Sequence, residues 1–135
     1  MIVIDCCAAF EMCRSTEVGR ALRSLVLEEE TIIAPELYKA EVANVLWKYV
    51  QQGMMSLEEA QKKLRALISL VDVFVPAESN LLESLAEAAR LDHPVYGLLY
   101  LTAARRNAAT LMSVDKRLNA LCDECGVARI YKMDV

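Results

Sequence analysis

Two aspartates, Asp5 and Asp115, each lie at the end of a stretch that is predicted to form a β-strand, over residues 2–5 and 110–114. In open α/β sheets, ligands bind beyond the carboxyl ends of the strands, at the point where the strand order reverses. If these two strands are neighbours, about 4.8 Å apart, their aspartates can reach one cation. Mg²⁺ or Mn²⁺ suits such oxygen ligands better than zinc does. Each aspartate could instead serve as a helix N-cap.

A third carboxylate, Glu41, lies within a predicted helix over residues 35–52. Glu41, Asn44 and Lys48 are three and four residues apart, so they share one face of that helix. The rest of the helix is strongly apolar. This polar stripe is either a solvated face or the place where a third acidic side chain joins a site.

Short β-branched stretches alternate with longer helical ones along the chain, which predicts an α/β domain with a mostly parallel sheet. The predicted strands are residues 2–5, 31–34, 71–75, 110–114 and 129–131. The predicted helices are residues 15–30, 35–52, 56–70, 80–90, 95–107 and 115–125.

Capping residues set several of these boundaries. Pro35 is expected at the first position of its helix. Ser56 and Glu59 form a capping box that begins the next helix. Asn80 is predicted to begin another, with Glu83 completing its N-terminal cap.

Length and composition limit the possible classes of protein. The 135 residues predict one domain, residues 1–135, and 56% hydrophobic residues exclude a disordered or low-complexity chain. The longest uncharged stretch, residues 93–104, is much shorter than the roughly 20 residues that a membrane-spanning helix needs. No secretory signal is recognised at the N-terminus, so a cytoplasmic location is expected.

The net charge of −4 argues against a protein that coats nucleic acid by charge alone. It leaves a nuclease possible, because carboxylates that hold a metal add to the negative total. The five cysteines are expected to be reduced and mostly buried. Cys122 and Cys125 have the spacing of half a zinc site, but the chain has no second such pair and only one histidine, His93.

Four segments together resemble the PIN-domain family. They are IVID at residues 2–5, APELYKAEVANVLWK at 34–48, HPVYGLLYL at 93–101 and SVDKRL at 113–118. Within that family, they are most similar to the VapC-type toxin ribonucleases of toxin–antitoxin pairs. The resemblance implies a three-layer α/β/α domain with a parallel sheet of about five strands. It also implies a Mg²⁺-dependent ribonuclease that acts on single-stranded RNA or a structured loop.

The resemblance also implies roles for particular residues. The family holds one or two metal ions with three or four acidic residues, and these fall here on Asp5, Glu41 and Asp115. Ser113 matches a small hydroxyl residue that helps to orient the site. Where the family usually has a further aspartate, directly after the tyrosine of its HPVY block, this chain has Gly97.

The departure at Gly97 removes one expected metal ligand. Mg²⁺ often needs only one or two protein carboxylates, so one ion can still be held. Asp92, on the predicted turn before Gly97, is a possible substitute ligand, although a turn or capping role is the simpler interpretation. Gly97 at a helix N-terminus also predicts an open pocket with free N–H groups, which favours a phosphate.

Two function classes follow. The first is a metal-dependent endoribonuclease neutralised by a small antitoxin protein. The second is a catalytically inactive PIN-fold module that binds RNA or protein. A receiver or an aspartate phosphatase is disfavoured, because Asp72 begins its strand and Cys7 stands where a phosphatase needs a second aspartate.

Partner surfaces are less specific. Lys116 and Arg117 lie next to the predicted site in sequence, where they either contact an RNA backbone or are simply solvated. Tyr96 and Tyr100 are expected in the core or in a dimer contact rather than as base-stacking platforms. The apolar helix over residues 95–104 and the apolar helix that ends at Val50 offer more apolar surface than one small sheet needs, so a homodimer is expected.

Overall fold

A computed structural model describes residues 1–131, so the last four residues of the predicted domain, 132–135, lie outside the described part. Its centre is a sheet of five parallel strands in the order β3-β2-β1-β4-β5. The strands are β1 (Ile2–Ile4), β2 (Ile32–Pro35), β3 (Val73–Val75), β4 (Thr110–Met112) and β5 (Arg129–Ile130).

The predicted pairing of the first and fourth strands is confirmed. Ile2 of β1 lies beside Thr110 of β4, and Ile4 lies beside Met112, in parallel register. All three residues of β1 are buried, as expected for a central strand covered on both faces. From β1 the chain first builds the sheet towards β3 and then crosses back to β4. The strand order therefore reverses between β1 and β4.

Helices cover both faces of the sheet and complete a three-layer α/β/α fold. They are α1 (Cys6–Met12), α2 (Glu17–Leu25), α3 (Leu37–Gln51), α4 (Leu57–Ser69), α5 (Leu81–Leu91), α6 (Val95–Arg106) and α7 (Lys116–Cys125), with a 3₁₀ helix at Ala77–Ser79. The connections that contain α1 to α4 lead from β1 through β2 to β3, towards one edge of the sheet. Those that contain α5 to α7 lead from β3 back to β4 and on to β5, towards the other edge. Right-handed crossovers place these two groups on opposite faces.

The prediction of one helix over residues 15–30 is wrong. The chain forms α1 directly after β1, and then a separate α2 that ends at Leu25. Asp5 caps α1, because its Oδ1 accepts a hydrogen bond from Ala8 N at 2.8 Å. Thr16 caps α2 by accepting from Gly19 N at 3.0 Å. The alternative interpretation of Asp5 as a helix N-cap is thus confirmed, although no helix was predicted directly after it.

One other boundary prediction is also wrong, and one predicted side-chain cap is not formed. Pro35 is the last residue of β2 rather than the first of a helix. Asn80 makes no side-chain cap, since its buried amide donates to Leu99 O at 2.9 Å and to Thr102 Oγ1 at 2.8 Å. It therefore ties the start of α5 to α6. Ser56 does cap α4, as predicted, through Glu59 N at 3.1 Å.

The apolar helix α6 lies in the core. Leu98 to Ala104 are all buried, and α6 contacts β1, β2 and β4. The part of the expected dimer surface that lies on α6 is thus used within the chain. Among the residues described, no helix is both long and apolar enough to cross a membrane. All five cysteines are free.

Candidate active site

A cavity of about 340 Å³ opens at the carboxyl edge of the sheet, beyond the ends of β1 and β4. Asp5, Glu41 and Asp115 all line it, although they come from β1, α3 and the start of α7. The position is the one where ligands bind in open α/β sheets. The three acidic residues picked out in the sequence therefore share one cavity.

Asp5 is the most enclosed of the three carboxylates, with 5% of its surface exposed. Besides the bond from Ala8 N, its Oδ2 accepts a hydrogen bond from the Ser113 hydroxyl. Burial raises the pKa of Asp5 to about 6, and the charges of Asp115 and Glu41 act in the same direction. The hydrogen bonds from Ser113 and Ala8 oppose that rise. A cation would favour the charged form of this group.

Ser113 links the two aspartates. Its hydroxyl donates to Asp5 and accepts from Asp115 N at 2.9 Å. Asp115 in turn caps α7, because its Oδ1 accepts from Arg117 N at 2.9 Å and from Leu118 N at 3.2 Å. The capping interpretation of Asp115 is thus confirmed. Its Oδ2 still faces no hydrogen-bond donor within residues 1–131, so capping and ligand binding are compatible.

Asn119 is a supporting residue that the sequence reasoning missed. Its amide donates to Ser113 O at 3.0 Å and to Asp115 O at 2.8 Å. It is 3% exposed, so these bonds hold the loop between β4 and α7 from beneath. Its position four residues after a capping aspartate is the only signal that the sequence offered.

Glu41 is held by Tyr100. The Tyr100 hydroxyl donates to Glu41 Oε1 at 2.6 Å. Burial raises the pKa of Glu41, and the bond from Tyr100 partly offsets this rise. Burial also raises the pKa of Tyr100, so the phenol stays a donor. The tyrosine was expected only in the core or in a dimer contact. Its spacing of three residues from Gly97, which puts both on one helix face, could have placed it at the site.

Asn44 and Asp92 do not line the cavity. Asn44 is exposed on α3. Asp92 is exposed at the end of α5, where its φ of 51° and its role as C-cap residue fit the turn interpretation. Their supporting roles in the site remain predictions.

The space at Gly97 differs from the open pocket that was expected. A Cβ built on Gly97 would lie 2.4 Å from Cε1 of His93, so the imidazole ring lies directly against this glycine. His93 lines the same cavity as the three carboxylates. The sequence offered one signal for this contact, which is the spacing of four residues across the turn.

The donor set fits a hard divalent cation. Mg²⁺ prefers oxygen ligands and keeps several of its waters, so it does not need a closed protein cage. Glu41 Oε2 and Asp115 Oδ2 have no hydrogen-bond partner within residues 1–131 and are available as ligands. Among residues 1–131, no group of three or more His, Cys, Asp or Glu side chains is arranged so that it could hold a metal ion, so the three carboxylates offer suitable ligand atoms but not a preformed metal site.

The raised pKa of Asp5 predicts a pH-dependent stability. Burial raises the pKa of this carboxyl from 3.8, the value taken for the unfolded chain, to about 6 in the folded protein. The protonated Asp5 carboxyl therefore makes its full contribution to the free energy of unfolding below pH 3.8. This contribution is lost as the pH rises through about 6, a loss of about 3 kcal/mol. We expect the Asp5→Asn variant to gain stability over the wild type between pH 4.5 and 7.5, as thermal unfolding at both values will show. A gap between the two proteins that does not change with pH would contradict this.

A larger cavity, of about 630 Å³, lies away from the carboxylates between α1, α3 and α4. Its lining is mainly apolar, and it includes three cations, Arg14, Arg23 and Lys63. None of the described residues that line it carries a carboxylate, so it offers no oxygen ligands of the kind found at the smaller cavity.

Comparison with known proteins establishes the fold and nothing finer. No family model matches the chain, and no curated protein matches it. Among solved structures, it is similar to the crystal structure of PAE2754 from Pyrobaculum aerophilum, with a TM-score of 0.73. The two chains are 21% identical, and the match covers 98% of this chain and 91% of that one. A likeness at this identity concerns the arrangement of helices and strands.

Proposed function

We propose that this protein is a metal-dependent endoribonuclease of the PIN type that cleaves single-stranded RNA. The observation that carries the proposal is the convergence of Asp5, Glu41 and Asp115 on one cavity at the carboxyl edge of the sheet. These residues are separated by most of the chain, and they occupy the positions that the resemblance to VapC-type toxins assigns to metal ligands. The α/β/α fold supports the same interpretation.

The residues have distinct roles in this proposal. Asp5 and Asp115 would hold one Mg²⁺ or Mn²⁺ ion, and Glu41 would orient a water through its free oxygen. When bound, such an ion would supply a water of lowered pKa and would neutralise charge on the phosphoryl oxygens. Ser113 fixes Asp5, and Tyr100 fixes Glu41. Asp5 and Glu41 are therefore each positioned by a neighbouring hydroxyl, whereas the Asp115 carboxylate is positioned by the backbone N–H groups of Arg117 and Leu118.

A second function is favoured by one observation. Gly97 provides no carboxylate at the fourth position, so the site has fewer oxygen ligands than the resemblance leads one to expect. The alternative is an inactive PIN-fold module that binds RNA or protein. In this alternative, the cavity is retained but the protein does not cleave RNA.

Cleavage of RNA separates the two functions. We expect the protein to cut a labelled pool of single-stranded RNA with Mg²⁺ or Mn²⁺, and to stop cutting when EDTA is added. Duplex RNA of the same composition serves as the matched substrate and is expected to stay intact. Binding of the single strand without any metal-dependent cleavage would favour the inactive module.

The partner proposals have separate supports. An antitoxin with an acidic, amphipathic segment would fit the larger cavity, because the lining of that cavity is mainly apolar and includes Arg14, Arg23 and Lys63.

A homodimer is supported by exposed apolar side chains on α5, among them Leu82 and Leu85, rather than by α6. The cytoplasmic location follows from the RNA substrate that we propose.

A further inference from the structure

The cavity lined by Asp5, Glu41 and Asp115 also has one permanent cation in its lining. Among the described residues around this cavity, Arg117 is the only lysine or arginine, and it is exposed to solvent. Its guanidinium group stays charged at any pH at which the protein is folded. The cavity therefore combines oxygen atoms that suit a metal ion with a donor group that suits an anion.

The charge of Arg117 is not neutralised by a carboxylate. Ion pairs with glutamate or aspartate neutralise four other arginines, namely Arg90, Arg105, Arg106 and Arg129. The guanidinium of Arg117 instead donates from Nη2 to a backbone carbonyl oxygen, Asp92 O, at 2.6 Å. Its Nε and Nη1 have no hydrogen-bond partner within residues 1–131. These donors and the positive charge are therefore available to a ligand.

The contact with Asp92 O fixes where this guanidinium lies. Asp92 is the C-cap residue of α5, and the chain continues from it into His93 and Pro94, which line the same cavity. The backbone of Arg117 is held as well, because its N–H donates to Asp115 Oδ1 at 2.9 Å. Both ends of the side chain are thus tied to segments that border the cavity. A positioned side chain loses less conformational freedom on binding a ligand than a mobile one does.

An RNA substrate needs a cation at this place. Three carboxylates in one cavity repel the phosphates of RNA, and one divalent ion would offset two of the three negative charges. The guanidinium of Arg117 offsets the third. Hydrogen bonds from a guanidinium to a phosphate oxygen are charge-assisted, and they are stronger than those between neutral groups.

We propose that Arg117 is a substrate-binding residue that donates to a phosphate oxygen of the single-stranded RNA through Nε or Nη1, while Nη2 stays bonded to Asp92 O. The inference rests on the proposed function, which supplies the identity of the substrate. It distinguishes Arg117 from its neighbour Lys116, which is also exposed but does not line the cavity.

Two glutamine variants form a matched pair, because Arg117→Gln and Lys116→Gln remove the same charge from adjacent positions. Arg117→Gln keeps the backbone N–H that Asp115 accepts from. Binding is measured by fluorescence anisotropy of a labelled single-stranded RNA with Mg²⁺, in an Asp5→Asn background that keeps the RNA intact. We expect Arg117→Gln to raise Kd about tenfold, as for a lost charge-assisted hydrogen bond, and Lys116→Gln to stay within about twofold. Equal losses in the two variants would overturn the proposal.

The salt dependence of binding separates a phosphate contact from a structural role in holding the turn. Each phosphate contact with a single strand adds about 0.7 to the slope of log K against log salt concentration, so Arg117→Gln should lower the slope by about that amount. Arg117→Lys keeps the charge and loses the fork that reaches Asp92 O. It is expected to keep the slope and to bind within about threefold of the parent protein. If the lysine variant binds as weakly as the glutamine variant and neither changes the slope, Arg117 acts only through the turn and the proposal is wrong.

The outcomes for Arg117 and for the proposed nuclease are separable. Cleavage of RNA by the wild type, together with unchanged binding in Arg117→Gln, would refute the contact and leave the nuclease standing. Binding that depends on Arg117, without metal-dependent cleavage by the wild type, would refute the nuclease and leave the contact standing. A protein that binds no single-stranded RNA at all would refute both.

Discussion

Replacing Asp5 by asparagine is expected to lower metal-dependent RNA cleavage by about 10³-fold, equivalent to ~4 kcal/mol of transition-state stabilisation. Asparagine matches the shape of aspartate and can still accept from Ala8 N, so α1 keeps its cap. What it removes is the negative charge of the most buried of the three carboxylates. The measurement is the single-turnover cleavage rate with saturating Mg²⁺ or Mn²⁺.

Matched variants show whether the loss belongs to the site. Asp115→Asn is informative because asparagine caps a helix as well as aspartate does, so α7 is preserved while a charged ligand is lost. Glu41→Gln keeps an oxygen for the Tyr100 hydroxyl. Both are expected to lose about 10²-fold or more. The exposed Asp123→Asn is the control and should cleave like the wild type. Equal rates for Asp5→Asn and Asp123→Asn would contradict the assignment.

Adding a carboxylate at position 97 is expected to raise the affinity for Mn²⁺ about tenfold, or ~1.4 kcal/mol. The change must be made together with His93→Asn, because the Cβ of a residue at 97 collides with the imidazole ring. Gly97→Asp alone must first displace His93, so a smaller gain is expected. Calorimetric titration of the metal into each protein measures the difference.

The comparison for this gain is Gly97→Asn in the same His93→Asn background. It has nearly the same shape as the aspartate variant and lacks its charge. We expect it to bind Mn²⁺ no better than His93→Asn alone. If the two variants at 97 bind the ion equally, the space beside Gly97 does not face the metal position.

The sheet and its acidic edge could be predicted from the sequence because they depend on local patterns. Short β-branched stretches between helices specify a parallel sheet, and both Asp5 and Asp115 follow such stretches directly. The ends of parallel neighbours meet at one edge whatever the details of packing. The convergence of these two residues was therefore predictable once the strands were placed side by side.

Other features depend on contacts between distant segments, and these the sequence did not show. Asn80 has the residue type of a cap, but its amide is used between α5 and α6. Tyr100 has the pattern of a core residue, although its hydroxyl reaches Glu41 on another helix. The ring of His93 occupies space that is free because Gly97 has no side chain. The sequence shows the glycine, but it does not show which neighbouring side chain fills the space beside it.

We propose that Asp5, Glu41 and Asp115 together bind one divalent ion, either directly or through a water. The direct measurement is a crystal of the protein grown with Mn²⁺ and an anomalous difference map recorded near the manganese edge. The predicted result is a single peak in the cavity, within about 2.5 Å of carboxylate oxygens of Asp5 and Asp115, with Glu41 bound directly or through one water. A Mn²⁺-saturated crystal with no peak between these carboxylates would contradict the claim.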